Sequence, residues 1–487
     1  MSLSFDPAAV VMPQAHFIGG ERVAAADGIT LHRPSDGAAF AGCPVADADV
    51  VDRAVGAARR ALATSGWSRA RPRERVDALH RWADLIAAEA VTLARLEAVA
   101  STRPVAELIR FDIPITVEQI RFFAEFADKE GGDLAPTAAD SVGMIATEPY
   151  GVIGAITPWN FPISMAAWKL GPALAAGNAV VLKPSEMTPF ATLFMAELSV
   201  RAGLPAGLIN VVLGDGRTTG AAITGHPDIA KVSFTGSTGA GAAIMENVAR
   251  TGIKPMTLEL GGKSPQLVFA DADLALAAGA IARSILANAG QACVAGSRLV
   301  VEASVADELI GLIATHMAAI RPGPTWDEAT GYAPIISARQ LGRMESIVGA
   351  TLAQGAQCRL GGKRLDRPGF FYAPTLIDGV DATSPAVAEE IFGPVLTVQT
   401  FREEEEALAL AEHPTYGLCA GLYTRDLSRA LRLSGRLQAG TVWVNRYGRS
   451  RDHILPTGGY KQSGLGKDLG REAYLANRKS KSVLIAI

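Results

Sequence analysis

The sequence predicts an α/β protein built from two doubly wound domains, and three observations lead there. From residue 152 onward, short β-branched runs alternate with helical stretches, the mark of βαβ units and a parallel sheet covered on both faces. A second alternating block begins after Gly262. The chain has 487 residues, 49% of them hydrophobic, which is enough for more than one core.

Taken in order, residues 51–99 read as helical, with Ala/Leu/Arg/Glu runs and Pro72 ahead of a fresh amphipathic stretch at 74–90. Residues 111–129 predict a further helix, stopped by Gly131 and Gly132. Strands are expected at 152–156, 179–182, 209–213 and 231–234, with helices between them near 165–176, 190–202 and 218–224. A domain boundary falls near 259–262. Strands at 266–269 and 299–302 then bracket a long Ala-rich helix, helices follow near 338–354 and 403–411, and strands near 418–423 and 441–445. Two pieces fit neither domain. Residues 140–148 look extended, and the apolar segment 480–487 reads as a strand in need of a sheet edge. The same subunit or an oligomer can supply that edge.

Composition excludes several function classes. Lys and Arg number 46 against 49 Asp and Glu, a net charge of −3, so neither nucleic acid nor an anionic membrane is an expected partner. No apolar run reaches the ~20 residues that span a bilayer. Residues 1–14 lack the basic and apolar regions of a signal peptide, and a cytoplasmic protein is expected. Cys43, Cys293, Cys358 and Cys419 are scattered with no CxxC pair, which argues against a disulfide framework and a metal site. Cys43, Cys358 and Cys419 read as small buried hydrophobes.

Five segments can carry chemistry, and each has a bland alternative. In Gly290-Gln291-Ala292-Cys293, a glycine turns the chain after the Ala-rich helix and can present a thiolate in a cleft; a lone cysteine there is more often inert. In the segment 259–265, Glu259 precedes Gly261 and Gly262, and a partly desolvated carboxylate is a plausible general base; an ordinary turn is the alternative. In the segment 157–162, two prolines stiffen a loop where the Asn160 amide can face an oxyanion, or simply cap a helix. The fourth is a cofactor set on strand ends. It comprises Lys183-Pro184-Ser185-Glu186, the GxGxxxG of Gly214 to Gly220, which is one residue longer than the usual fingerprint, and Phe234-Thr235-Gly236-Ser237, which opens a helix whose amides suit a pyrophosphate. The fifth, the segment 389–394, sets adjacent acids beside an aromatic and a Gly-Pro turn, able to meet a sugar and a ring, although a solvated turn is the usual meaning.

Together and in order, TPWNFP (157–162), KPSE (183–186), FTGS (234–237), LELGGKSP (258–265), GQAC (290–293), EEIFGP (389–394) and GGYKQSG (458–464) resemble the aldehyde dehydrogenase superfamily, and the likeness runs over residues 17–483. The resemblance implies a Rossmann-like NAD(P)-binding domain (1–132 and 148–258), a catalytic domain (259–474), and an oligomerisation element (133–147 and 475–487) of a homodimer or homotetramer. It implies Cys293 as nucleophile, Glu259 as general base, and Asn160 as oxyanion donor. Ile156, Thr157, Pro158, Trp159, Lys183, Ser185, Glu186, Gly216, Gly220, Phe234, Gly236, Ser237, Leu260, Glu390 and Phe392 match cofactor-binding positions. Glu186 resembles the NAD-preferring pattern, since a carboxylate repels a 2′-phosphate; some members with this pattern also take NADP. The implied substrate pocket is Phe161, Met165, Trp168, Ala292, Val294 and the loop carrying Arg449. That loop departs from common members in Arg446, Arg449, Arg451 and His453, and Thr457 stands where many relatives have Phe. A basic mouth would suit an aldehyde bearing a carboxylate; solvated or salt-bridged arginines are the alternative. The implied reaction is thiolate attack on a small-molecule aldehyde, hydride transfer to NAD(P)+ and Glu-assisted hydrolysis of a thioester. The rivals are CoA-acylating chemistry, which Glu259 disfavours, and a non-catalytic protein that kept the fold.

Overall fold

The computed structural model describes residues 2–25, 28–448 and 453–487. At the centre of the first domain lie five parallel strands, in spatial order Ile209–Val211, Ala179–Lys183, Val152–Ile156, Lys231–Thr235 and Met256–Glu259. The chain enters in the middle, steps outward twice on one side, then returns to fill the other side. The order therefore reverses between Val152–Ile156 and Lys231–Thr235, where loops leaving adjacent strands part and open a crevice. These strands are buried along their length because helices cover both faces, which is why they read as continuous apolar runs rather than as alternation. Antiparallel strands Ala15–Ile18 and Glu21–Ala24 extend one edge, and Gly464–Leu465 caps the other.

The helical region predicted at 51–99 is three helices, Ala48–Ser65, Pro72–Ala88 and Ala90–Ala100. Gly66 ends the first in a left-handed C-cap, and Pro72 starts the second at its first turn, where its missing N–H costs nothing. The second domain has seven strands, in order Gln357–Leu360, Thr375–Asp378, Val395–Phe401, Arg298–Glu302, Pro265–Val268, Cys419–Tyr423 and Thr441–Val444, all parallel except the first pair. Cys358 corrects an expectation: it is exposed rather than buried, because its strand is the outermost of this sheet and meets a neighbour on one side only.

The end of the chain returns to the first domain. Gly464–Leu465 pairs with Met256–Glu259, and Leu469, Ala473 and Tyr474 join the first hydrophobic core. A cut at 259 and 474 therefore does not separate the two cores, since residues 464–475 pack with the first. The two leftover segments find each other. Arg478–Ala486 runs antiparallel to Ser141–Pro149, from Arg478 opposite Pro149 to Ala486 opposite Ser141, and Asp133–Ala135 adds a third strand. The edge for the C-terminal strand thus comes from the same chain. Among the described residues, no helix is long and apolar enough to cross a membrane.

Candidate active site

The helix Leu274–Leu286 ends before the cysteine motif, and the chain then turns sharply. Asn288, Ala289 and Gly290 have φ of 50°, 50° and 71°, all left-handed. This turn delivers Cys293 half-buried at the junction of both domains. The side chain of Asn160, buried in the loop after Val152–Ile156, donates from Nδ2 to the Gln291 carbonyl at 3.1 Å. An amide nitrogen carries two hydrogens, so one remains for a second acceptor beside Cys293.

Glu259 is the last residue of Met256–Glu259 and is buried. Its backbone is clamped on both sides: its carbonyl accepts from Gly236 N at 3.0 Å, and Leu260 N donates to Ser463 O at 3.0 Å. The two glycines after Leu260 have a purpose at Gly262. A Cβ there would lie 2.5 Å from the Cys293 carbonyl oxygen, so only glycine lets the segment after Glu259 pass the Cys293 turn. Gly458 serves the acid in the same way, since a Cβ on it would sit 2.7 Å from Glu259 Oε1.

The crevice at the sheet's switch point has the features of a dinucleotide site. Ile156 and Thr157 end one strand, and Thr157 N donates to Lys183 O at 3.0 Å. Thr157 Oγ1 and, on the adjacent strand, Thr235 Oγ1 are buried and lack a hydrogen-bond partner among the described residues. Phe234 precedes Thr235 at the end of Lys231–Thr235, Gly236 follows, and Ser237 caps the helix Thr238–Thr251, its Oγ accepting from Ala240 N at 3.3 Å. Amides at such a helix start favour phosphate. Lys183 is buried and donates to the carbonyls of Pro184 (3.0 Å) and Gly214 (2.8 Å), with half-buried Glu186 at 3.6 Å. Burial lowers the pKa of Lys183, and Glu186 opposes that shift. The buried Ser185 accepts from Met187 N at 3.3 Å. The glycine-rich segment forms a π-type turn, Gly216–Gly220, capped by Asp215, with Gly216 facing open space and Gly220 packed on Ile156 and Lys183.

The fifth segment closes over this crevice. Gly262 N donates to Glu390 Oε1 at 3.0 Å. Burial pushes the Glu390 carboxyl up to about 7, partly offset by that N–H and by Lys263. Lys263 is itself buried with Nζ unpartnered among the described residues, and burial with nearby Arg298 brings it down to about 7. Phe392, at φ 56°, meets the Trp159 ring edge-on at 5.3 Å, beside Pro158. Leu260 packs with Ile156 and Phe234.

Of the residues expected to meet the substrate, Met165 and Trp168 are buried in the first core, Ala292 in the second, and Phe161 packs against both. Val294 packs against Leu418, Cys419 and Trp443 together with Cys293. Arg449 and Arg451 lie outside the described residues. Arg446 is exposed. His453 is buried 5.9 Å from the Phe122 ring, with Glu118 at 3.8 Å. It belongs to the packing and not to a solvent-facing mouth.

Several residues here went unmarked in the sequence. Gln340 Nε2 donates to the carbonyls of Ile391 and Phe392 (2.9 and 3.0 Å) and Arg343 to that of Glu390 (2.7 Å), so one helix, Ala338–Ala353, holds the Glu390 loop. Arg103 stacks 4.8 Å from the Phe161 ring while bonding Asp112 at 2.8 Å, next to the buried Glu97, which burial holds well above the usual carboxylate range. Lys169 pairs with Asp468 behind the site. A Lys or Glu in a helical run gives no local signal of such partners. Among the described residues, no three His, Cys, Asp or Glu side chains gather as metal ligands do.

A family model described as the aldehyde dehydrogenase family matches residues 23–483. The chain belongs to the aldehyde dehydrogenase family. It is 42% identical over 474 residues to the NADP/NAD-dependent aldehyde dehydrogenase PuuC of Escherichia coli, covering 97% of this chain and 95% of that one. It superposes with a TM-score of 0.96 and 39% identity on AldA, an indole-3-acetaldehyde dehydrogenase of P. syringae solved with NAD+ and IAA, over 99% of this chain and 98% of that one. The aldehyde dehydrogenase KauB of Pseudomonas aeruginosa gives 0.95 and 39%, over 98% and 97%. As an aldehyde dehydrogenase, this chain oxidises an aldehyde with a nicotinamide cofactor, and its two-domain Rossmann-like fold is that of these relatives.

Proposed function

We propose that Cys293 is the nucleophile, Glu259 the base and Asn160 the oxyanion donor of this oxidation, and that the product is the free acid. One observation carries the reading. The Asn160 amide reaches the Cys293 turn at 3.1 Å, while the glycine that lets that turn approach stands three residues after Glu259. Cys293 Sγ attacks the carbonyl carbon. The Asn160 amide and the Cys293 N–H receive the oxyanion, donors in place before charge develops. A bound nicotinamide would be the oxidant, accepting the hydride that leaves this carbon as the oxyanion returns to a carbonyl, which leaves a thioester on Cys293. Glu259 takes a proton from water, which displaces the thiolate. The thiolate leaves ready for another cycle.

The cofactor crevice fits a dinucleotide on its own terms: unpartnered hydroxyls at Thr157 and Thr235, helix amides behind Ser237, and the Glu390 acceptor. Glu186 beside Lys183 favours NAD over NADP, because a 2′-phosphate would meet the carboxylate. Phe161, Met165, Trp168, Ala292 and Val294 make the acyl pocket apolar, which favours uncharged or aromatic aldehydes over semialdehydes. Four cysteines scattered without a CxxC pair suit a reducing, cytoplasmic setting. The exposed Leu484 and Ile485 on the outer strand of the third sheet suit burial between subunits.

NADH absorbance with NAD or NADP, across aromatic, unbranched and carboxylated aldehydes, tests these assignments. Preference for succinic semialdehyde would overturn the apolar pocket, and an acyl-CoA product in the presence of CoA would overturn hydrolysis.

A further inference from the structure

The left-handed turn before the nucleophile is strained at one residue. Glycine is at ease at such angles and asparagine tolerates them, but Ala289 at φ 50° and ψ 43° pays of order 1 kcal/mol. Strain of this kind persists only where the surroundings over-determine it.

What holds it is a closed set of amides spanning both domains. Asn288 Oδ1 accepts from Thr102 Oγ1 at 2.6 Å, and its Nδ2 donates to the Asn160 carbonyl at 3.0 Å and the Gln291 carbonyl at 3.3 Å. Gln291 Nε2 donates to the carbonyls of Asn288 and Pro334, both at 2.9 Å, and its Oε1 accepts from Ile336 N at 2.9 Å. Thr102, Asn288 and Gln291 are all buried, so no water competes. The Gln291 carbonyl thus receives two amides at once, that of Asn288 and that of Asn160. Its neighbour two residues on is Cys293.

We infer that Asn288, fixed by Thr102 from the other domain, is a positioning residue that sets the separation between the Asn160 amide and the Cys293 turn. The inference rests on the oxyanion role given to Asn160 above. It makes acylation depend on the seating of one domain on the other, because Thr102 and Asn160 belong to the first domain, and Asn288 and Gln291 to the second. Misplacing a donor by about 1 Å costs on the order of 100-fold in rate.

Asn288→Gly separates this from a role in the turn alone. Glycine adopts φ 50° more easily than asparagine, so a residue needed only for the turn would be replaced without loss. Positioning predicts a fall in kcat of roughly 10- to 100-fold, with the KM for NAD changed by less than about twofold because the cofactor crevice is untouched. Thr102→Val, nearly isosteric but without the hydroxyl, is expected to lose about 10-fold in kcat, and Thr102→Ser to recover to within about twofold. Thermal unfolding and NAD titration by protein fluorescence report whether each variant is folded. If Asn288→Gly does not fold, the Thr102→Val and Thr102→Ser pair decides. Asn288→Gly and Thr102→Val at wild-type kcat would overturn the inference, as would equal losses in Thr102→Val and Thr102→Ser, or a loss appearing in the KM for NAD instead of kcat. Asn160→Ala, run alongside, keeps the two readings apart. Wild-type kcat in that variant would sink the oxyanion assignment, whereas a slow Asn160→Ala beside a fully active Asn288→Gly would sink only the positioning.

Discussion

Lys169 donates to Asp468 across 299 residues of chain, with both side chains buried. Lys169 sits on Pro162–Ala175, the helix that Phe161 opens, and Asp468 exchanges two backbone hydrogen bonds with Thr457. The pair thus pins the loop that carries Gly458, which makes room for Glu259, to the helix that carries the pocket residues. Lys231 lies near enough for Asp468 to oppose the burial that brings it down to about 8. Removing one partner of a buried pair leaves a charge unpaired and costs about 3–5 kcal/mol. Lys169→Met and Asp468→Asn should each lower the melting temperature clearly. The double replacement Lys169→Met with Asp468→Asn should cost less than the sum of the two single changes. Strictly additive shifts in thermal unfolding would contradict a coupled pair.

Cys293→Ala should abolish aldehyde oxidation and leave NAD binding within about twofold, because the thiol does not belong to the crevice that holds the cofactor. Fluorescence titration reads the binding and NADH absorbance the turnover. Residual turnover near wild type would remove Cys293 from the mechanism.

Glu259→Gln should slow hydrolysis by roughly 100- to 10,000-fold, the usual worth of a positioned base. Acylation does not need that base, so a thioester should accumulate. Intact-protein mass spectrometry after mixing with aldehyde and NAD should then show the acyl group on Cys293. No adduct at any time point would reassign the base.

Glu390 supplies a pH test of both function and stability. Its carboxyl stands at about 7 in the folded protein against an ordinary 4.5, so between those values the folded state holds the proton more often than the unfolded state. Its contribution to stability is therefore fully present below about 4.5 and is lost as pH rises through 7. Glu390→Gln should melt higher than the parent at pH 8 and no higher at pH 5. For the cofactor the sign reverses: a ribose hydroxyl needs an ionised acceptor, so NAD affinity should strengthen from pH 6 to 8 in the parent and stay flat in Glu390→Gln. A parent profile without that rise would remove Glu390 from the ribose.

The sheets were legible because their signals are local. The run Val152 to Ile156 is apolar on both faces and five residues long, and nothing but a buried strand suits it. Cys293, Glu259 and Asn160 stand out as candidates only through the company of their motifs. The rest depends on partners far away in the chain. Thr102 is an ordinary residue after a helix until Asn288 arrives 186 positions later. Residues 464–475 follow a second-domain strand and give no sign that they return to the first core. Ala289 is a helix former that tertiary contacts hold in a left-handed turn, so propensity points the wrong way there.

The pairing of Ser141–Pro149 with Arg478–Ala486 has a consequence for biosynthesis. At ribosomal rates of about 5–20 residues per second, the earlier strand waits roughly 20–70 s for its partner. During that interval Ile145 sits on the edge that Ser482 later covers, and an open edge invites other chains. A C-terminal truncation or bulky fusion would prolong that vulnerable interval rather than merely trim the surface.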